Sequence, residues 1–284
     1  DQKIKWDKES FGPVGRLVTD SLTETFKEFS ESIGVGETAE YLKDLFKKTY
    51  LEHANLADAT RYLVNKLFEK YGLLILDANH PELKKQFSSI IEEDICQQHS
   101  FRLINETTTR LQAAGFDTPV NPREINFFYL KEGLRERIIR EDEQYQVVNT
   151  DIVFTEAEIR TYIQNHPEAF SPNVVMRPLY QESILPNICY IGGGAELSYW
   201  LELKSTFERY KLDFPIVLLR NSAQQVSASI AKKQEHLHLS AEVLFKPVDT
   251  LKKEWILANA GKNLSLKNEI DAFEEVFKTL GHRA

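Results

Sequence analysis

The sequence predicts an α/β protein with a doubly wound core and helical insertions, followed by a purely helical segment. Three observations carry this. From Val174 to Leu219 short apolar runs alternate with helical stretches, the rhythm of strand–helix–strand units. A triple glycine, Gly192-Gly193-Gly194, joins one such run to a helix. Beyond Asn221 the pattern is helical only, and Ile270, Phe273, Phe277 and Leu280 are spaced three, four and three apart, as in a coiled-coil seam. The expected division is a core over 1–230 and a helical segment over 231–284.

The first seventy or so residues read as helices. Leu17, Leu22, Phe26 and Phe29 fall near helical spacing, as do Ala39, Leu42, Leu45 and Phe46. Gly72 closes the last of them as a residue just past a helix end. Leu73-Leu74-Ile75-Leu76-Asp77 is an apolar run before an Asn-His-Pro turn and is expected to be a buried parallel strand. Pro81 suits the first turn of a helix running from Glu82 to about Ala114, with Thr107-Thr108-Thr109 as a weak point. Past the linker Pro119 to Pro122, short strands are expected at Ile125 to Tyr129, Glu136 to Ile139 and Tyr145 to Val148. Thr155 and Glu158 have capping-box spacing at the start of the next helix. Strands are then expected at Val174 to Met176, Asn187 to Ile191 and Phe214 to Leu219, with helices between them up to Leu185 and from Ala195 to Tyr210.

Composition bounds the function. The chain has 284 residues, 42% hydrophobic and 27% charged, which is ample for a core. No apolar run is long enough to span a bilayer, and the charged start, Asp1 to Trp6, has no signal-peptide apolar segment. It also has no initiator Met, so a piece of a longer protein is expected. Two cysteines, Cys96 and Cys189, make no disulfide framework, which points to a reducing cytoplasm. A net charge of -8 disfavours nucleic acid as a partner but leaves room for a local basic pocket.

Candidate chemistry gathers near the triple glycine. Gly192, Gly193 and Gly194 let the backbone approach a ligand, and the following helix start favours an anion. Neither Gly-x-Gly-x-x-Gly nor a phosphate-loop Gly-Lys-Ser/Thr is present. Glu196, in the first helical turn, complements the helix dipole or serves as a base or ammonium ligand. Arg177 and Arg220 flank apolar runs, and Arg220 with Asn221 sits where a strand should end, a place suited to gripping a carboxylate or phosphate. Arg123 and Asn126 form a further polar cluster on a loop. His236 and His238 lie in a polar stretch without further ligands, so no metal site is expected. Tyr199 and Trp200 suit the core.

Val175-Met176-Arg177-Pro178-Leu179-Tyr180-Gln181-Glu182, Leu185-Pro186-Asn187 and Tyr190-Ile191-Gly192-Gly193-Gly194-Ala195-Glu196-Leu197-Ser198-Tyr199-Trp200 resemble the signature of the bacillithiol-biosynthesis cysteine-adding enzymes. Gly12-Pro13-Val14-Gly15-Arg16, Leu74 to Asp77, Arg123 to Tyr129 and Phe214 to Ser222 extend the resemblance in order along nearly the whole chain. One departure is Ala195, where the family pattern is expected to hold glycine.

The resemblance implies a Rossmann-like core, a coiled-coil domain that makes a homodimer, and a ligase adding cysteine to glucosaminyl-malate through an amide bond. It also implies a longer protein, with an acidic-and-histidine segment upstream and more coiled coil downstream. Such a reaction needs an activated cysteine carboxylate, hence ATP or ADP with Mg²⁺ as the expected cofactor. Arg177, Arg220 and Arg123, with Gln181, Asn126 and Asn221, are the expected substrate contacts, and Glu196 the catalytic carboxylate. Two other classes fit the residues: a different nucleotide- or sugar-binding α/β enzyme, and a non-catalytic dimeric scaffold.

Overall fold

The computed structural model describes residues 3–7, 9–259 and 266–281. The chain forms two compact units, Asp1–Arg220 and Asn221–Ala284. The first opens with three helices, α1 (Thr23–Ser32), α2 (Glu37–Leu51) and α3 (Leu56–Phe68). Their apolar faces meet through aromatic rings; Phe29 and Phe46 stack with centroids 4.5 Å apart. Asn55 caps α3, its side chain accepting from the Asp58 amide at 3.0 Å. Gly72 then turns the chain with φ 75°, where a Cβ is disfavoured.

Leu73 to Asp77 does not form the expected buried strand. Leu74 is 87% exposed, and among the described residues no strand pairs with this run. Asp77 instead begins a turn, its carboxylate accepting from the Asn79 amide at 2.9 Å.

The single helix expected from Glu82 to about Ala114 is three: α4 (Pro81–Gln86), α5 (Ser88–Gln97) and α6 (His99–Ala113). The second break falls at Gln98, with φ 54°. Its cause is the buried Asp94 carboxylate, which accepts from the Ser100 amide and hydroxyl at 2.7 Å each. Residues six apart face different sides of a continuous helix, so this pairing needs the reversal at Gln98.

Five strands form an antiparallel sheet: β1 (Phe127–Lys131), β2 (Leu134–Glu141), β3 (Gln144–Val147), β4 (Val153–Thr155) and β5 (Phe170–Pro172), in the order β4-β3-β2-β1-β5. The three strands expected here are β1 to β3, shifted by a residue or two. Tyr129, Ile138, Tyr145, Val147 and Phe170 point from this sheet into the core, with Ile91 and Ile95 of α5 and Ile159 and Ile163 of α7 (Glu156–Asn165). The capping box at Thr155 is present: the Thr155 amide donates to Glu158 at 2.8 Å, and the Glu158 amide donates to the Thr155 hydroxyl at 3.3 Å.

Val174 to Met176, expected as a strand, is a turn leading into α8 (Arg177–Ile184). The Asn173 side chain accepts from the Val175 and Met176 amides, a local alternative to strand pairing. The only parallel pairing among the described residues joins β6 (Cys189–Gly192) to β7 (Ile216–Leu219), with Gly192 opposite Leu219. Two helices connect them, α9 (Gly194–Glu202) and α10 (Lys204–Arg209). The doubly wound part is therefore one strand–helix–strand unit beside a larger antiparallel sheet. Trp200 of α9, wholly buried, stacks on Tyr190 of β6 with centroids 4.2 Å apart.

The second unit holds α11 (Ala228–His236), α12 (Val248–Asn259) and α13 (Lys267–Gly281). On α13 the rings of Phe273 and Phe277 lie 5.2 Å apart, and both are exposed. The side chain of Leu280, the last position of the expected seam, lies outside the described residues. Among the described residues no helix is long and apolar enough to cross a membrane.

Candidate functional site

Parallel pairing in register brings the carboxyl ends of β6 and β7 level, so Gly192 to Gly194 and Arg220 meet at one edge. The Arg220 amide donates to the Gly192 carbonyl at 2.8 Å. A Cβ on Gly193 would lie 3.3 Å from Arg220 Nη2 and 3.4 Å from Glu196 Oε2, so the guanidinium lies against this glycine. A Cβ on Gly192 would come within 2.7 Å of the Tyr190 ring. Gly194, the first residue of α9, has open space around it.

Glu196 sits at the centre of this edge. One carboxylate oxygen accepts from the Gly193 amide at 2.8 Å, the other from the Tyr190 hydroxyl at 2.8 Å. The Gly193 amide, then the Tyr190 hydroxyl, and the charges of Arg177 and Arg220 hold its carboxyl below the usual glutamate range. Both oxygens are engaged, and these contacts favour the carboxylate form. This is the carboxylate that the sequence offers as a base or an ammonium ligand.

Arg177, at the start of α8, reaches the same edge from the other side. It donates to the Tyr199 hydroxyl at 2.8 Å and to Gln181 at 3.5 Å. Gln181 in turn donates to Glu182 at 3.2 Å, so it fixes the guanidinium from behind. Arg177 also borders a cleft of about 440 Å³ whose wall includes Arg16, Asp77, Lys84, Arg135 and Tyr180.

Three predicted contacts do not join this group. Asn126 is fully buried. It accepts from the Arg123 amide and from Asn173, and donates to Ser100 and to the Arg123 carbonyl. With its amide saturated it fastens the loop and has nothing left for a substrate. Arg123 is exposed, its backbone clamped by Asn126, and it does not line the cleft. Asn221 is exposed and opens the second unit.

Among the described residues no group of three or more His, Cys, Asp or Glu is placed to hold a metal. For a nucleotide the fit is partial. Arg177 and Arg220 supply positive charge at the start of α9, but Glu196 already occupies the Gly193 amide that a phosphate would use. Sequence reasoning missed Arg16, Lys84 and Arg135. They come from distant parts of the chain, and only Arg16 lay in a stretch that stood out, Gly12 to Arg16.

Comparison with known proteins bears on this site. The family model described as "Bacillithiol biosynthesis BshC, N-terminal Rossmann-like domain" matches residues 1–221, ending one residue past the first compact unit. A protein of Flavobacterium johnsoniae named "Putative cysteine ligase BshC" is 50% identical over 250 residues, 88% of this chain and 47% of the relative. A relative of the same name from Cytophaga hutchinsonii is 34% identical over 98% of this chain and 52% of its own length. One from Staphylococcus carnosus is 26% identical over 92% of this chain and 49% of its own length. The chain spans about half the length of the curated relatives it matches.

Proposed function

The chain belongs to the BshC family of bacillithiol biosynthesis through its Rossmann-like domain, and we propose that it forms part of a ligase joining cysteine to glucosaminyl-malate through an amide bond. The observation that carries the reading is the pair of guanidiniums, Arg177 and Arg220, flanking Glu196 at the glycine edge. A substrate with an amine at one end and two carboxylates at the other suits that arrangement. The guanidiniums bind carboxylate oxygens in pairs, and Glu196 orients the attacking amine through its charge. Gly193 keeps the approach open, and Gln181 holds Arg177 in place. The cysteine carboxylate lacks a leaving group, which a nucleotide with Mg²⁺ would supply. A cytoplasmic homodimer joined through the exposed aromatic face of α13 completes the reading.

Steady-state kinetics on the full-length enzyme with glucosaminyl-malate tests the arginines. Arg177→Ala and Arg220→Ala should each lower kcat/KM by the equivalent of about 2–5 kcal/mol, the cost of losing a desolvated charged hydrogen bond. Wild-type efficiency in both variants would remove the site assignment. For the dimer, Phe273→Glu with Phe277→Glu should halve the mass of the full-length protein in light scattering. An unchanged mass counts against α13 as the interface.

A further inference from the structure

The cleft beside Arg177 holds three further cations, Arg16, Lys84 and Arg135, that the ligase reading does not use. Its wall carries four cations, Arg16, Lys84, Arg135 and Arg177, and two carboxylates, Asp58 and Asp77. The carboxylates are already engaged. Asp58 accepts from Arg61 at 3.2 Å and from Asn55 at 2.9 Å, and Asp77 accepts from the Asn79 amide. None of the four cations has a carboxylate within salt-bridge distance among the described residues.

Particular contacts of the fold bring these cations together. Gly12, with φ +84°, lies against the β1–β2 turn, where a Cβ would come 3.0 Å from the Gly133 backbone. Only glycine permits that approach, and it sets the segment bearing Arg16 beside the hairpin bearing Arg135. The Leu17 carbonyl accepts from the Leu56 amide at 3.0 Å, fixing the same segment to α3. With the Asn79 side-chain amide turned so that its oxygen faces Arg16, it accepts from Arg16 Nε and Nη2 at 3.3 and 2.7 Å. Arg135 lies over the Phe128 ring at 3.7 Å, which orients it without neutralising it.

Lys84 is the decisive group. It is 2% exposed, and its ammonium donates to the Phe170 carbonyl. The charged and titratable groups that face it are Arg16 and Arg135, which oppose its charge, Asp77 and Glu168, which favour it, and the Tyr180 ring, 5.9 Å away. Burial first, and then Arg16, push its pKa down to about 8. A buried ammonium without a paired anion is costly, and long lysine stems normally carry their charge out to water.

We infer that this cleft is a binding site for a small dianion, a dicarboxylate or a phosphate, gripped by Arg16, Arg135 and Lys84. The inference rests on the cleft and stands whether or not the ligase reading holds. A bound dianion supplies the countercharge Lys84 lacks, so binding recharges the amine and takes up a proton near pH 8.

Calorimetric titration of this protein with malate, inorganic phosphate and neutral N-acetylglucosamine tests it. At least one of the two anions should bind saturably, and the sugar should not; which anion binds identifies the chemistry. Arg16→Ala and Arg135→Ala, both at exposed positions, should each weaken that binding about tenfold or more. Titrations at pH 8 in buffers of different ionisation enthalpy should show proton uptake, lost in Lys84→Met. Should Lys84→Met fail to fold, the two arginine variants and the wild-type proton uptake still decide the matter. Absence of saturable binding by either anion, undiminished affinity in both arginine variants, or no proton uptake would each overturn the inference.

Discussion

The two sheets of the first unit divide its work differently. In the antiparallel sheet the inward side chains are almost fully buried: Tyr145, Val147 and Phe170 are all at 0% exposure. In the parallel pair Ile191, Ile216, Leu218 and Leu219 are between 50% and 66% exposed. Apolar burial stabilises in proportion to the area removed from water, so the strands of the antiparallel sheet contribute more to the core than those of the parallel pair. The parallel side keeps a buried anchor, Trp200, and carries the polar groups at its carboxyl edge, where ligands of α/β sheets usually bind.

The sharpest way to break this division is a pair of truncations. Phe170→Ala removes a side chain that packs edge-on against Tyr129 and Tyr162 and should cost about 3–5 kcal/mol. Leu218→Ala, on an open strand face, should change stability by about 0.5 kcal/mol or less. Denaturant midpoints compare the two directly. Equal losses would mean that the parallel pair contributes as much to stability as the antiparallel sheet.

A second substitution addresses the edge itself. The extra carbons of Gly193→Val enter the space between Arg220 and Glu196. On the proposed ligase reading, binding of glucosaminyl-malate to the full-length protein should fall about a hundredfold, about 2.7 kcal/mol, while far-ultraviolet circular dichroism changes little. Undiminished binding would make the glycine turn purely structural.

Much of this edge was legible because its signals are local. A triple glycine between an apolar run and a helix, and an arginine just past the next apolar run, place Gly192 to Gly194 and Arg220 together once the strands pair in parallel. The Thr155–Glu158 cap was legible for the same reason. What failed depended on tertiary partners. The apolar run from Leu73 to Leu76 satisfies every local rule for a buried strand, yet no described strand pairs with it. Asn126 sits in a polar cluster that looked like a site, but Ser100 and Asn173 use up its amide. Arg16, Lys84 and Arg135 share a cleft only because Gly12 packs on Gly133, a contact between residues more than a hundred positions apart.

The smallest expected effect sets one carboxylate from each region against the other. Glu196 is held below its ordinary value of 4.5, first by the Gly193 amide and then by the Tyr190 hydroxyl. Its carboxylate therefore stabilises the fold above pH 4.5, and that contribution is lost as pH falls through the lowered folded value. Asp94, fully buried, is raised above its ordinary 3.8 by desolvation, against the opposing hydrogen bonds from Ser100 and Tyr210. The folded state binds that proton more tightly than the unfolded state does, so Asp94 subtracts stability as pH rises from 3.8 to its folded value. Denaturation midpoints measured across the acid range should separate the two. Glu196→Gln should lose about 0.5–1 kcal/mol at pH 7, the usual worth of a helix-start contact, and its deficit should shrink as the solution is acidified. Asp94→Asn should make the rise of stability with pH steeper, because the opposing contribution is gone. If both variants shift the acid limb in the same direction, the two carboxylates do not occupy the opposite electrostatic environments that their hydrogen bonds and burial assign.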